Sequence, residues 1–152
     1  MLGLTGKHLE DLAKKHCKQF LGVFSCNMHP KIKNNNNFSI IFNESKNDEE
    51  GTHFVCLHAN KNVLYYFDSL GLKCENEYIK EFLNSTQRDV IEIGKQIQSF
   101  ESIFCGYFCL SFILYMSVNS KSSIQNYLNL FSVNNLKLND KIVVELILEL
   151  LK

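Results

Sequence analysis

A Cys-Gly pair stands at the mouth of a long apolar run, "FCGYFCLSFILYM" from Phe104 to Met116, and the run contains a second cysteine. Three chemistries fit such a stretch: thiols that only pack in a buried helix, a metal or disulfide staple, and a nucleophile presented at a helix N-terminus. If the run is helical, Cys105 meets free main-chain N–H groups and the positive end of the macrodipole, which lower a thiol pKa. Gly106 would leave room for a substrate backbone and let main-chain N–H groups face an oxyanion. Cys109, one turn further on, is expected to pack among Phe108, Phe112 and Leu114.

A thiol nucleophile needs a base, and the base needs an orienting group. "THFVCLHANKNVLYYFDSLG" reads as two strands around a turn at "ANKN". Centring the turn between Asn60 and Lys61 sets Ala59 opposite Asn62 and His53 opposite Asp68. Directly opposed residues have Cβ atoms about 4.5–5.5 Å apart on one face, so an imidazole reaches a carboxylate. Asp68 would hold one ring nitrogen of His53 and leave the other to act on a thiol. His58 falls near the turn, and His8, His16 and His29 fall on a surface helix or a loop. Gln98, seven residues before Cys105 and expected at a strand end, offers a side-chain amide to an oxyanion.

The metal reading fares less well. In "HFVCLH" strand alternation points Cys56 away from His53, His58 also lies off that face, and no second Cys/His knuckle follows. Cys105 and Cys109 are separated by three residues, not the two of redox and zinc pairs. No metal or other cofactor is expected.

The positioning elements follow from periodicity and punctuation. Lys7 to Lys18 carries apolar residues at helical spacing that extend to Phe20–Leu21, with Thr5 as N-cap and Gly22 as the stop. "KIKNNNN" reads as a polar loop, "FSIIFNE" as a strand, "CENEYIKEFLNS" as a helix and "RDVIEIGKQIQ" as a strand. Phe104 to Val118, Ser122 to Leu130 and Leu138 to Leu151 read as helices. This order predicts an α+β fold: a small mixed, mainly antiparallel sheet packed by helices, with the nucleophile at the N-terminus of a buried central helix. The 152 residues fit one domain over 1–152. No GxGxxG or GxxxxGK[ST] element supports nucleotide binding.

Composition narrows the partners. Lys+Arg and Asp+Glu both number 16, so the zero net charge does not support DNA binding or a polybasic membrane contact. The most apolar stretches are shorter than the roughly 20 residues a membrane span needs, so no membrane is expected. The N-terminus lacks the apolar core of a secretory signal, and the six cysteines are therefore expected as thiols in a reducing compartment.

Taken together, "GTHFVCLH", "LYYFDSLG" and "QSFESIFCGYFC" resemble the adenain family, the maturation cysteine proteases of adenoviruses and their relatives in virophages and Polinton-type elements. "HLEDLAKKHCKQFLGVFS" is similar to that family's opening helix, so the resemblance spans roughly residues 5 to 118. It implies Cys105 as nucleophile, His53 as general base and acid, Asp68 as orienter and Gln98 as oxyanion donor, with Gly106 following the nucleophile. Phe54 stands where the family usually has Trp, and with Tyr107 it is expected to wall a narrow, glycine-preferring channel. The implied function is an endopeptidase that cuts capsid or other virion precursors at Gly-Gly-type sites, in host cytoplasm, nucleus, viral factory or virion. Adenoviral enzymes are activated by a peptide that forms a disulfide upstream of the Gln strand; "STQRDVIEIGKQIQ" has no cysteine, so any activating peptide here would not be disulfide-linked. The wider clan includes proteases of SUMO and ubiquitin-like proteins, which "YYFDSLG" also fits. A silent binding domain that keeps the fold is the remaining alternative.

Overall fold

The computed structural model describes residues 4–33, 36–118 and 124–152. Helix α1 (Gly6–His16) begins where the Thr5 side chain accepts the His8 N–H at 3.3 Å, and its last turn carries Lys14, Lys15 and His16, which suit the negative helix end. It ends earlier than its periodicity predicts. Phe20–Leu21 belong instead to strand β1 (Phe20–Ser25), which pairs parallel with β2 (Phe38–Asn43). Gly22 is not a helix stop. It sits at an irregularity in that pairing with φ +149°, and a Cβ there would lie 2.6 Å from Glu10 Oε1.

Strands β3 (Phe54–Ala59) and β4 (Val63–Phe67) form the expected hairpin, and β5 (Asp89–Ile93) completes a five-stranded sheet of order β1-β2-β3-β4-β5. The sheet is antiparallel only at its centre. Both edge strands run parallel to their neighbours, so the expectation of a mainly antiparallel sheet holds for β2-β3-β4 alone. The reason is topological: β4 is joined to β5 by a crossover through α2 (Glu77–Ser85) and not by a tight turn, so β5 enters in the same direction as β4.

Helices lie on both faces. Phe82, Ile79 and Leu83 of α2 pack with Phe38, Ile40, Phe42, Val55 and Leu57 on one side. On the other lies α3 (Cys105–Val118), with every residue from Phe108 to Leu114 buried among α1, α4 (Ile124–Leu128), α5 (Leu138–Leu150) and the sheet. Phe112 stacks on Phe67 of β4 with centroids 4.6 Å apart. Tyr127 closes over both rings and shares a 2.7 Å hydrogen bond with Ser111 Oγ, which satisfies its buried hydroxyl. Truncating such a ring costs about 3–5 kcal/mol, so α3 is fixed in register against the sheet. Of the helix read over Ser122 to Leu130, Ser122 and Ser123 lie outside the described residues. No helix among the described residues is long and apolar enough to cross a membrane.

Candidate active site

The hairpin register differs from expectation by two residues. Ala59 pairs with Leu64 and Cys56 with Phe67, because Asn60 closes the turn: its N–H donates to Val63 O, and its side-chain oxygen accepts the Asn62 and Val63 N–H groups. Continued outward, this register sets Asp68 opposite Val55, so His53 and Asp68 are diagonal neighbours. A shift of two keeps side chains on the same face. The imidazole bridges the diagonal, and His53 Nε2 lies 2.9 Å from Asp68 Oδ1.

The neighbouring main chain holds both partners. Glu44 N–H donates to His53 O just before β3, and Asp68 Oδ1 also accepts the Leu70 N–H at 2.9 Å just after β4. Side-chain exposure is 16% for His53 and 3% for Asp68, so water competes poorly for the bond. With Nε2 engaged, the hydrogen bond between the imidazole and the Cys105 thiol falls to Nδ1.

Cys105 is the first residue of α3 and is partly exposed, whereas the other five cysteines are buried. Burial opposes its thiolate. The His53 hydrogen bond, main-chain bonds from Phe54 and Gly106 and the imidazolium charge outweigh burial and lower the thiol pKa. Burial likewise pulls the His53 pKa down, but its bonds to Asp68 and Cys105 and their charges win and raise it to about 10. Opposite shifts on bonded partners favour the thiolate–imidazolium form of the pair over the neutral thiol and imidazole.

Gln98 is not at a strand end. β5 stops at Ile93, and Gln98 lies in the following segment, where its own N–H and that of Ile97 both donate to Ser69 O at 2.9 Å. Its buried amide is oriented at both ends: Oε1 accepts from Ser69 Oγ, and Nε2 donates to Ser102 O at 3.0 Å. One Nε2 hydrogen is left over. Gly71 locks the same segment from behind, with φ +76° and no room for a Cβ, which would lie 2.6 Å from Gln96 N.

His53, Phe54, Gln98 and Cys105 line one cleft of about 530 Å³, with Phe100 and Ile103 exposed on its wall. Tyr107 does not line it; its ring packs 4.7 Å from Phe104. Gly106 is buried beneath it, and a Cβ there would press 3.0 Å from Leu9 Cδ1, so its smallness serves the docking of α1 on α3.

Cys56 and His58 do not join His53. Cys56 is buried in the α3-facing core, and His58 Nδ1 shares a 2.9 Å hydrogen bond with Ser39 Oγ. The acidic group that does approach is Glu44, whose carboxylate lies within 4.8 Å of the His53 and Asp68 ligand atoms, a trio with donors suited to a cation. Burial raises the Glu44 pKa, the His53 charge opposes that, and Asp68 adds to it. Glu44, Ser69 and Ser102 escaped the sequence reading. Ser69 at least sits inside the motif "FDSLG", while nothing local marks Ser102.

No known protein-family model matches the chain, and no curated protein matches it either.

Proposed function

We propose that this protein is a cysteine endopeptidase, of virus-like origin, that cuts virion precursor proteins at Gly-Gly-type sites. One observation carries the chemistry. His53 is bonded on one side to buried Asp68 at 2.9 Å and on the other to a thiol with lowered pKa at a helix N-terminus. Gln98 lines the same cleft with an oriented amide. The substrate class rests on the resemblance of the motifs around these residues to adenain-type proteases.

In the first half-reaction the Cys105 thiolate attacks the scissile carbonyl carbon, and the C=O electron pair moves onto oxygen. The free Nε2 hydrogen of Gln98 and the main-chain N–H at the start of α3 are the donors for that oxyanion. As the tetrahedral species collapses, the C–N bond breaks and the His53 imidazolium gives its Nδ1 proton to the leaving amine. Water then attacks the thioester, His53 takes its proton, and the acid product leaves with the thiolate restored. Asp68 keeps the ring oriented throughout.

The test is parallel turnover of a Gly-Gly-containing precursor peptide and a SUMO or ubiquitin C-terminal fluorogenic conjugate by wild-type and Cys105→Ala protein. Peptide turnover that vanishes in the variant is expected. Turnover of the conjugate alone moves the function to ubiquitin-like processing. Turnover of neither, with Cys105 alkylating like an ordinary thiol, removes the enzyme reading.

A further inference from the structure

The segment from Ile97 to Phe104 carries Gln98 at one end and leads into Cys105 at the other, and it belongs to no helix or strand. Its shape is imposed from the far end of the chain. Buried Asn139, in the first turn of α5, donates from Nδ2 to Ile97 O at 2.8 Å. The same amide group donates to Ser132 O and accepts from Ser132 N–H, so its orientation is set. The next residue, Asp140, accepts the Ser102 hydroxyl at 2.7 Å. Ser102 Oγ in turn accepts the Phe104 N–H at 3.1 Å, and Ser102 O is the acceptor that holds Gln98 Nε2. An exposed Lys137–Glu101 ion pair at 3.6 Å lies alongside.

Two consecutive residues of α5 thus grip the segment on either side of the amide that faces the cleft. Asn139 fixes the backbone just before Gln98, and Asp140 fixes the residue whose carbonyl aims the Gln98 amide. His53 and Asp68 are held by the main chain beside β3 and β4, which α5 does not touch through these bonds. We propose that Asn139 and Asp140 are positioning residues for the Gln98 oxyanion donor, acting through Ile97 and Ser102. The inference rests on the peptidase reading for its catalytic consequence, but not for its structural one.

An oxyanion donor matters to acyl transfer and not to alkylation of the thiol, which forms no oxyanion. Asp140→Ala is therefore expected to lower peptide kcat by about 10-fold or more, toward the 10²–10³ lost with a whole donor. KM and the rate of Cys105 alkylation by iodoacetamide stay at wild-type values. Asp140→Asn, which keeps an acceptor oxygen for Ser102, restores most of the loss. In a Gln98→Ala background Asp140→Ala has no further effect, because the group it positions is gone. Ser102→Ala, which keeps the carbonyl but breaks the link to Asp140 and also strips the Phe104 N–H of its acceptor, loses at least as much kcat as Asp140→Ala.

A second readout needs no turnover. The Gln98 side-chain NH₂ resonances, assigned by their loss in Gln98→Ala, should shift or broaden in Asp140→Ala and return in Asp140→Asn. Unchanged Gln98 resonances, or equal losses in the presence and absence of Gln98, overturn the proposal. Responsive resonances in a wild-type protein that cleaves nothing leave the positioning in place and remove the peptidase reading instead.

Discussion

Cys105 and Cys109 are one helical turn apart on α3, and their surroundings make them opposite in chemistry. Cys105 opens the helix with His53 against its sulfur, and its pKa is lowered. Cys109 is fully buried, and burial together with its hydrogen bond to the Cys56 thiol pushes its pKa well above the ordinary range. Both thiols lie over the same sheet, so the fold alone does not make a nucleophile. What separates them is a charged partner and an open side.

The sharpest break of this comparison is to exchange the thiols' fates by mutation. Cys105→Ala should cost on the order of 10⁴–10⁶-fold in peptide turnover, with little change in Tm. Cys109→Ser should retain turnover while losing about 1–3 kcal/mol of stability for an imperfectly paired buried hydroxyl, read by denaturant melts. Removing the charged partner comes next. His53→Ala should move the onset of Cys105 alkylation up in pH, toward the range of an ordinary thiol near about 8.5. Wild-type alkylation should instead begin at a lower pH than in the variant, because the Cys105 pKa is lowered. Because the folded His53 pKa is raised to about 10, its stabilisation is complete below the ordinary imidazole pKa and is lost as pH rises through 10. The Tm gap between wild type and His53→Ala should therefore close in strong base.

Smaller effects sharpen the contrast. Gly106→Ala should destabilise by about 1–3 kcal/mol through the clash with Leu9, and shortening Leu9 in the same chain should cost less than it does alone. A double-mutant cycle in urea reads the coupling. Smallest is Glu44→Gln, which removes a nearby acid from the imidazolium and should lower the His53 pKa read by NMR titration, by less than Asp68→Asn does.

The parts of this site that were legible in the sequence depend on near neighbours in the chain. The start of α3 is marked by an apolar run, and the His53–Asp68 meeting by a hairpin whose arms are contiguous. The register expected from the sequence lies two residues from the one observed, so parity is kept and the pair meets; a shift of one puts the two side chains on opposite faces. What the sequence hid is long-range. Strand β1 exists because β2 pairs with it across an intervening loop, so its short apolar run looked like a continuation of α1. Gln98 is oriented by Ser69 and Ser102, and Ser102 by Asp140, 38 residues further along. No periodicity reports such a contact.

Five thiols sealed in the interior and one at the surface of a cleft make the molecule its own gauge of opening. An excess of a thiol-specific label should mark one site at once, at a rate set by the imidazole beside it. The other five can be marked only as fast as the core admits the reagent, which is a measure of how often helices and sheet part company. A single mass spectrum over time therefore separates damage to the reactive centre, seen in the first mass step, from loosening of the fold, seen in the arrival of the rest.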